Sequence, residues 1–304
     1  METTLGSKKQ AWLHAIRLRT LPLALSSILM GSILAAVQEQ FKIEVFLLAA
    51  LTTIFLQVLS NLANDYGDSI HGADSQSRQG PIRAVQSGII SLPEMKRAMI
   101  LLAIFSLASG LTLLYYSLHD WTLFLLFLGL GVLAIVAAIT YTSGKKPYGY
   151  AGLGDLSVFI FFGLLGVSGT YFLHTLSFDW INFIPAISLG LFSTAVLNIN
   201  NIRDIDSDTL AGKKSIPVRI GKHSAVAYNW FLIIGGNILI ICYAIISKSP
   251  WALLPLITLP MMLKIGIGVA RGKDAPMIDP FLKKMAISTL FWTLSFGAGW
   301  YFFN

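Results

Sequence analysis

Long apolar stretches separated by short polar connections run through the 304 residues, and nine of them can be marked out. They cover approximately Leu21–Val37, Val45–Leu62, Ala98–Ser117, Trp121–Tyr141, Leu156–Leu173, Trp180–Asn198, Ala225–Ile246, Trp251–Val269 and Met285–Phe303. A helix needs about 20 apolar residues to cross the hydrocarbon core of a bilayer. Each stretch therefore predicts a transmembrane helix, and the chain reads as an all-α, polytopic membrane protein: nine helices in one bundle, one domain over residues 1–304. An odd number of crossings places the termini on opposite sides.

Composition agrees with this pattern. The chain is 55% hydrophobic and 12% charged, with a mean hydropathy of +0.70, whereas a soluble domain is about 25% charged. A soluble enzyme, a disordered chain and a disulfide scaffold are excluded, because too few polar side chains exist to cover such a globule in water. The single cysteine, Cys242, permits neither an intramolecular disulfide nor a thiolate metal cluster. The net charge of +7 is spread between apolar runs and forms no stripe with interleaved aromatics, so nucleic acid is not an expected partner.

The basic residues sort by connection. Twenty of the 22 Lys and Arg fall on one side of the nine-helix arrangement, and only Lys42 and Lys248 on the other. Cytoplasmic loops of membrane proteins are enriched in Lys and Arg, so the amino terminus is expected in the cytoplasm and the carboxyl terminus outside. The first span has the basic lead and apolar core of a signal peptide, but its lead is long and no small-residue cleavage site follows Val37. It is read as a retained helix.

Acidic residues follow the same sidedness. Seven of the fifteen lie in two connections on the basic side: Asp65, Asp68, Asp74 and Glu94 in one, Asp204, Asp206 and Asp208 in the other. Laying one connection on the other at an offset of 136 residues puts Asn64 on Asn200, Asp68 on Asp204, Pro81 on Pro217 and Arg83 on Arg219. Four special residues in register, four spans apart, indicate a parallel internal duplication with a site between the halves. In each copy an Asn and an Asp stand four residues apart, on one face of a helix.

Two such faces converging in one pocket would repel. Like charges about 4 Å apart cost about 4 kcal/mol at an effective dielectric of 20, so something positive must lie between them. Oxygen ligands of this kind suit Mg2+, which keeps several waters and shares its sphere with substrate phosphates. Arg83, Lys145, Lys146, Lys213 and Arg219 can neutralise phosphate oxygens from the outer side. A lone Asp-rich turn would read as a solvated loop; two in repeat register read as a metal–diphosphate site. The five histidines are dispersed without ligand spacing.

The segments Asn61–Gly88, Tyr141–Asp155 and Asn200–Gly221, together with the opening Trp12–Gly31 and its Arg19-Thr20-Leu21-Pro22, resemble the UbiA superfamily of intramembrane aromatic prenyltransferases. Within it they are most similar to members that prenylate 1,4-dihydroxy-2-naphthoate in menaquinone synthesis. The resemblance implies a nine-helix bundle with a lipid-facing cavity and two Mg2+ ions holding a polyprenyl diphosphate. Metal ligation maps onto Asn64, Asp68, Asp74, Asn200, Asp204 and Asp208, and Asp68, Asp204 and Lys146 are expected to carry the chemistry. Many members place the last acid of the first motif four residues after the previous one; here that position is Gly72 and the acid is Asp74. The family's Tyr-x3-Lys-Arg appears as Tyr141-x3-Lys145-Lys146, which loses the bidentate contact of an Arg.

The expected reaction is ionisation of the allylic C–O bond, attack by the electron-rich ring and loss of CO2. Prenylation of 4-hydroxybenzoate or homogentisate would use the same chemistry. A secondary transporter would place its acids near mid-span, and a phosphatidyl-transferring enzyme would carry them in one block. Gln86, Tyr148 and Asp155 are further polar candidates near the mouth of the site.

Overall fold

The computed structural model describes residues 7–71 and 83–303. Among these, eight helices are long and apolar enough to cross a membrane. In chain order, α1 (Lys8–Ile16) leads through a short 3-10 turn (Leu18–Thr20) into α2 (Leu21–Val37), followed by α3 (Ile43–Ile70), α4 (Leu92–Ser117) and α5 (Trp121–Thr140). Then come α6 (Gly154–Thr175), α7 (Phe183–Arg203), the short α8 (Ile205–Leu210), α9 (Ile216–Ile246), α10 (Pro250–Arg271) and α11 (Ala275–Phe303). The ninth expected span lies in α11, which is long enough at 29 residues but is not among the eight apolar ones. Its apolar stretch is diluted by Ser288, Thr289 and Thr293, all buried inside the bundle, so it needs less hydrophobicity than a lipid-facing helix.

Several helices run past the apolar stretches that predict them. α3 continues to Ile70 and α7 to Arg203, so Asn64, Asp65 and Asp68 are helical rather than part of a connection, and Asp204 is the C-cap of α7. Their polar side chains find protein partners within the bundle, which lets the backbone stay helical where water would end an exposed segment.

Local devices set the entry to the site. Ser7 caps α1 by accepting from the Gln10 N–H, and α1 ends at Arg17 in a left-handed conformation (φ 53). Asn61 of α3 holds this corner by donating to the Ile16 carbonyl at 2.8 Å and the Thr20 hydroxyl at 3.0 Å. At the opposite end of the molecule, buried His174 ties α6 to the α2–α3 loop. Its Nδ1 accepts from the Lys42 N–H at 3.1 Å, so Nε2 carries the ring proton and faces the Ser32 oxygen at 2.9 Å.

The main apolar core joins α2, α6, α7 and α9–α11 around Trp292, Phe192, Phe296 and Tyr171. By contrast, no residue of α5 is buried, and its Leu125, Leu126 and Leu133 are open to the surroundings. That is the pattern of a helix solvated by lipid on most of its circumference.

The middle of α6, Phe159–Gly169, is π-helical and packs closely on α7. A Cβ added at Gly163 would lie 2.7 Å from the Gly190 Cα and 2.8 Å from the Ala186 carbonyl oxygen, so the two backbones meet with nothing between them. Gly163→Val is expected to cost about 1–3 kcal/mol of stability. The measurement is the thermal unfolding midpoint of the purified protein in detergent, which falls for Gly163→Val and not for Gly129→Ala, where an added Cβ has open space.

Candidate active site

The polar ends of α3 and α7, which carry the two copies of the repeat, open onto one cavity of about 450 Å3. Asn64 and Asp68 line it from one half, Asn200, Asp204 and Asp208 from the other, and Arg17, Arg19, Arg83, Arg203 and Lys213 stand among them. Gly67 lets the Tyr141–Thr142 turn rest against α3, since any Cβ there would overlap the Thr142 main chain. The Thr142 hydroxyl donates to the Ala63 carbonyl at 2.9 Å.

Five carboxylates line this space, and three of them, Asp68, Asp204 and Asp208, are each paired with a cation. Asp68 is fully buried. Its Oδ1 accepts from Lys213 Nζ at 3.1 Å and from the Tyr150 hydroxyl at 2.6 Å, and its Oδ2 is ion-paired with Arg83 Nη1. Lys213 also reaches Asp208 Oδ1 at 3.3 Å, so one ammonium joins carboxylates of both halves, 4.9 Å above the ring of Tyr150. Burial pushes the Tyr150 phenol well above its ordinary value and the neighbouring Asp68 adds to this, so the hydroxyl keeps its proton and donates. Burial also pushes the Asp208 carboxyl up, against the pull of Lys213.

The second half is held differently. Arg203 grips Asp204 with two bonds, Nε to Oδ1 at 2.8 Å and Nη2 to Oδ2 at 2.6 Å, and Nη2 also donates to Asn200 Oδ1 at 2.9 Å. Its Nη1 lies 2.5 Å from Asp279 Oδ1, and Asp279 in turn accepts from Arg19 Nη1 at 3.3 Å. A bidentate, charge-assisted arrangement of this kind fixes both side chains. On the other wall Arg17 donates to Asn64 Oδ1 at 3.0 Å and Arg83 to the Asn64 carbonyl at 2.8 Å.

Not every residue expected from the sequence lines the cavity. Lys145 and Lys146 are exposed on the turn after α5, outside its lining. Arg219, the repeat partner of Arg83, donates instead to the backbone carbonyls of Lys214 at 2.8 Å and Ala151 at 2.5 Å and braces the loop before α6. Asp74 lies outside the described residues. Asp65 accepts from the Ala84 and Val85 amides and orders the segment that presents Arg83; Gln86 accepts from the Arg83 amide. Tyr148 spans to the Ala137 carbonyl and the Ser157 hydroxyl, each at 3.0 Å.

Sequence reasoning did not assign site roles to Arg17, Arg19, Tyr150, Arg203 and Asp279. Four of these lie inside or beside the quoted motif blocks, where adjacency to Asn200-x3-Asp204 could have drawn attention to Arg203. Asp279 carries no local signal, because its partners are 76 and 260 residues away.

The donor chemistry fits Mg2+. Carboxylate and amide oxygens face one cavity from two sides, and among the described residues no three His, Cys, Asp or Glu side chains gather tightly enough to hold an ion alone. One or two carboxylates per ion, completed by phosphate oxygens and water, is how Mg2+ is ordinarily held.

A second cavity, about 380 Å3 and mostly apolar, adjoins the first between α2, α3, α4, α5 and α6. Gln57, Tyr141, Val158, Phe162 and Leu197 line both.

Comparison with known proteins gives the same picture at the level of the whole chain. The UbiA prenyltransferase family matches residues 24–297. The 1,4-dihydroxy-2-naphthoate octaprenyltransferase of Haemophilus influenzae is 43% identical over 97% of this chain and 97% of its own length. That of Escherichia coli is also 43% identical, over 96% of each. A solved UbiA homolog from Archaeoglobus fulgidus, bound to DMAPP and Mg2+, shares the fold with a TM-score of 0.59 at 17% identity, covering 91% of this chain and 98% of that one.

Asp279→Ala removes the carboxylate that joins Arg203 to Arg19. Hydrogen bonds to charged groups contribute about 1.5–3 kcal/mol, so the thermal midpoint is expected to fall by several degrees, and transfer activity to drop as Asp204 loses its fixed position. An unchanged midpoint and rate would show that the contact contributes nothing.

Proposed function

The chain belongs to the UbiA prenyltransferase family, and we propose that it transfers a polyprenyl chain from polyprenyl diphosphate to 1,4-dihydroxy-2-naphthoate, releasing diphosphate and CO2 and giving demethylmenaquinol, the reduced form of demethylmenaquinone. The observation that carries this reading is one polar cavity receiving carboxylates from both halves while sharing a wall with an apolar cavity. An amphiphile with a diphosphate head and a hydrocarbon tail matches that pair of spaces. Each CH2 buried contributes about 0.8 kcal/mol, so the tail remains in an apolar surround.

Asn64, Asp68, Asp74, Asn200, Asp204 and Asp208 would hold Mg2+, a reading supported by the solved Archaeoglobus homolog, which is bound to DMAPP and Mg2+. When bound, the metal supplies neutralisation of the charge that develops on the departing diphosphate. Arg83 and Lys213 donate to phosphate oxygens within the cavity, while Lys145, Lys146 and Arg219 form the basic rim that attracts the anion from outside. The walls of Tyr141 and Phe162 keep water from the allylic cation, which an aromatic face also stabilises. The chain is a multi-pass membrane protein, and we place its amino terminus and basic rim in the cytoplasm.

In proteoliposomes given polyprenyl diphosphate, the naphthoate and Mg2+, Asp68→Ala and Asp204→Ala are each expected to lose transfer by about a hundredfold or more. A chelator should abolish wild-type turnover and added Mg2+ restore it. Full turnover by both variants would overturn the metal assignment; equal turnover on 4-hydroxybenzoate or homogentisate would overturn the acceptor. For orientation, Cys242 is replaced by Ser and single cysteines are placed elsewhere. A cysteine at Lys42 or Lys248 should react with an impermeant maleimide on intact cells, and one at Lys145 or Lys273 only after permeabilisation. The opposite pattern reverses the topology.

A further inference from the structure

Asp155 stands apart from the other acids of the cavity. It lies in the first turn of α6, lines the polar cavity and is only 8% exposed. Asp68 is paired with Arg83 and Lys213, Asp204 with Arg203, and Asp208 with Lys213. Among the described residues Asp155 has no ion pair. Its Oδ1 is buried with no hydrogen-bond partner. Burying a carboxyl oxygen without a donor is costly, and such a group in a cavity points to a ligand that brings the donor with it.

The surroundings define that ligand. The Tyr141 hydroxyl lies against Gly154, next to Asp155, and Tyr141 and Phe162 supply aromatic walls. Val158, one turn further along α6, lines both cavities, so Asp155 sits beside their junction. A flat ring carrying an O–H donor satisfies the carboxyl oxygen and the aromatic walls together.

We propose that Asp155 accepts a hydrogen bond from a ring hydroxyl of the aromatic acceptor and so fixes which ring carbon faces the prenyl chain. The acceptor's own carboxylate is turned away from Asp155 by like-charge repulsion, which leaves one orientation. The hydroxyl keeps its proton; the contact binds and orients. This inference rests on the aromatic-acceptor reading of the same cavity.

The test is kinetic. Asp155→Leu, close in shape and lacking an acceptor atom, is expected to raise KM for the naphthoate roughly tenfold or more. KM for polyprenyl diphosphate and the Mg2+ requirement should not move. Asp155→Ala should raise the naphthoate KM in the same direction. Competition by 1-hydroxy-2-naphthoate and 4-hydroxy-2-naphthoate identifies the contacted group: for the analogue lacking that hydroxyl, wild type and Asp155→Leu should bind alike. An unchanged naphthoate KM, an equal rise for both substrates, or a penalty that persists with both analogues would overturn the proposal. Should Asp155→Leu not fold, Asp155→Ala decides it, an unchanged naphthoate KM then counting against it. Wild-type turnover separates the two levels of inference: no transfer to any aromatic acceptor overturns the functional reading itself, whereas normal wild-type turnover with an unmoved acceptor KM in the variants overturns only the role of Asp155.

Discussion

Charge neutralisation between two helix ends is the constraint on which this molecule is organised. α3 and α7 each bring an Asn–Asp face into the same enclosed space, and carboxylates at such separations cost several kcal/mol unless cations intervene. Lys213 satisfies the constraint across the divide by touching Asp68 of one half and Asp208 of the other. Arg83 and Arg203 satisfy it within each half. The closeness of the two helix ends is thus bound to the presence of basic residues from elsewhere in the chain, including Arg19 through Asp279. Cations that hold carboxylates in this way are also suited to phosphate oxygens, so on the proposed reading the same side chains would both stabilise the site and recognise a diphosphate.

The surrounding bundle turns that polar centre into one a lipid-like substrate can use. α7, which has no exposed residue, forms the rigid part; α5, buried nowhere, closes the apolar cavity as a thin wall facing hydrocarbon. The shared lining at Tyr141, Val158 and Phe162 makes the boundary between polar and apolar spaces a matter of a few side chains.

Much of this was legible in the sequence. Length and hydrophobicity are sufficient to place crossing helices, because hydrocarbon imposes a simple rule on any backbone that traverses it. The repeat register of Asn64 with Asn200 and Asp68 with Asp204 identified residues that do share a cavity. What escaped depends on tertiary partners. The helical continuation through Asp68 requires knowing that Tyr150, Arg83 and Lys213 await it. α11 hides its Ser and Thr residues against other helices, so hydropathy alone undervalues it. Arg219 matches Arg83 in register yet serves a loop, since equal spacing in sequence does not oblige two arginines to find equal surroundings. Asp279 has meaning only once three distant segments are assembled.

The duplication also carries a question of direction. A head group caught between two equivalent halves could settle facing either way, and only one of those poses would send its tail somewhere it can dissolve. Among the described residues the apolar chamber is lined by α2 to α6 and the turn between α5 and α6, with Leu197 alone coming from further along the chain. The halves differ in the site as well, Arg203 standing where the repeat register places Gly67, so the seat is asymmetric in charge as well as in its access to hydrocarbon.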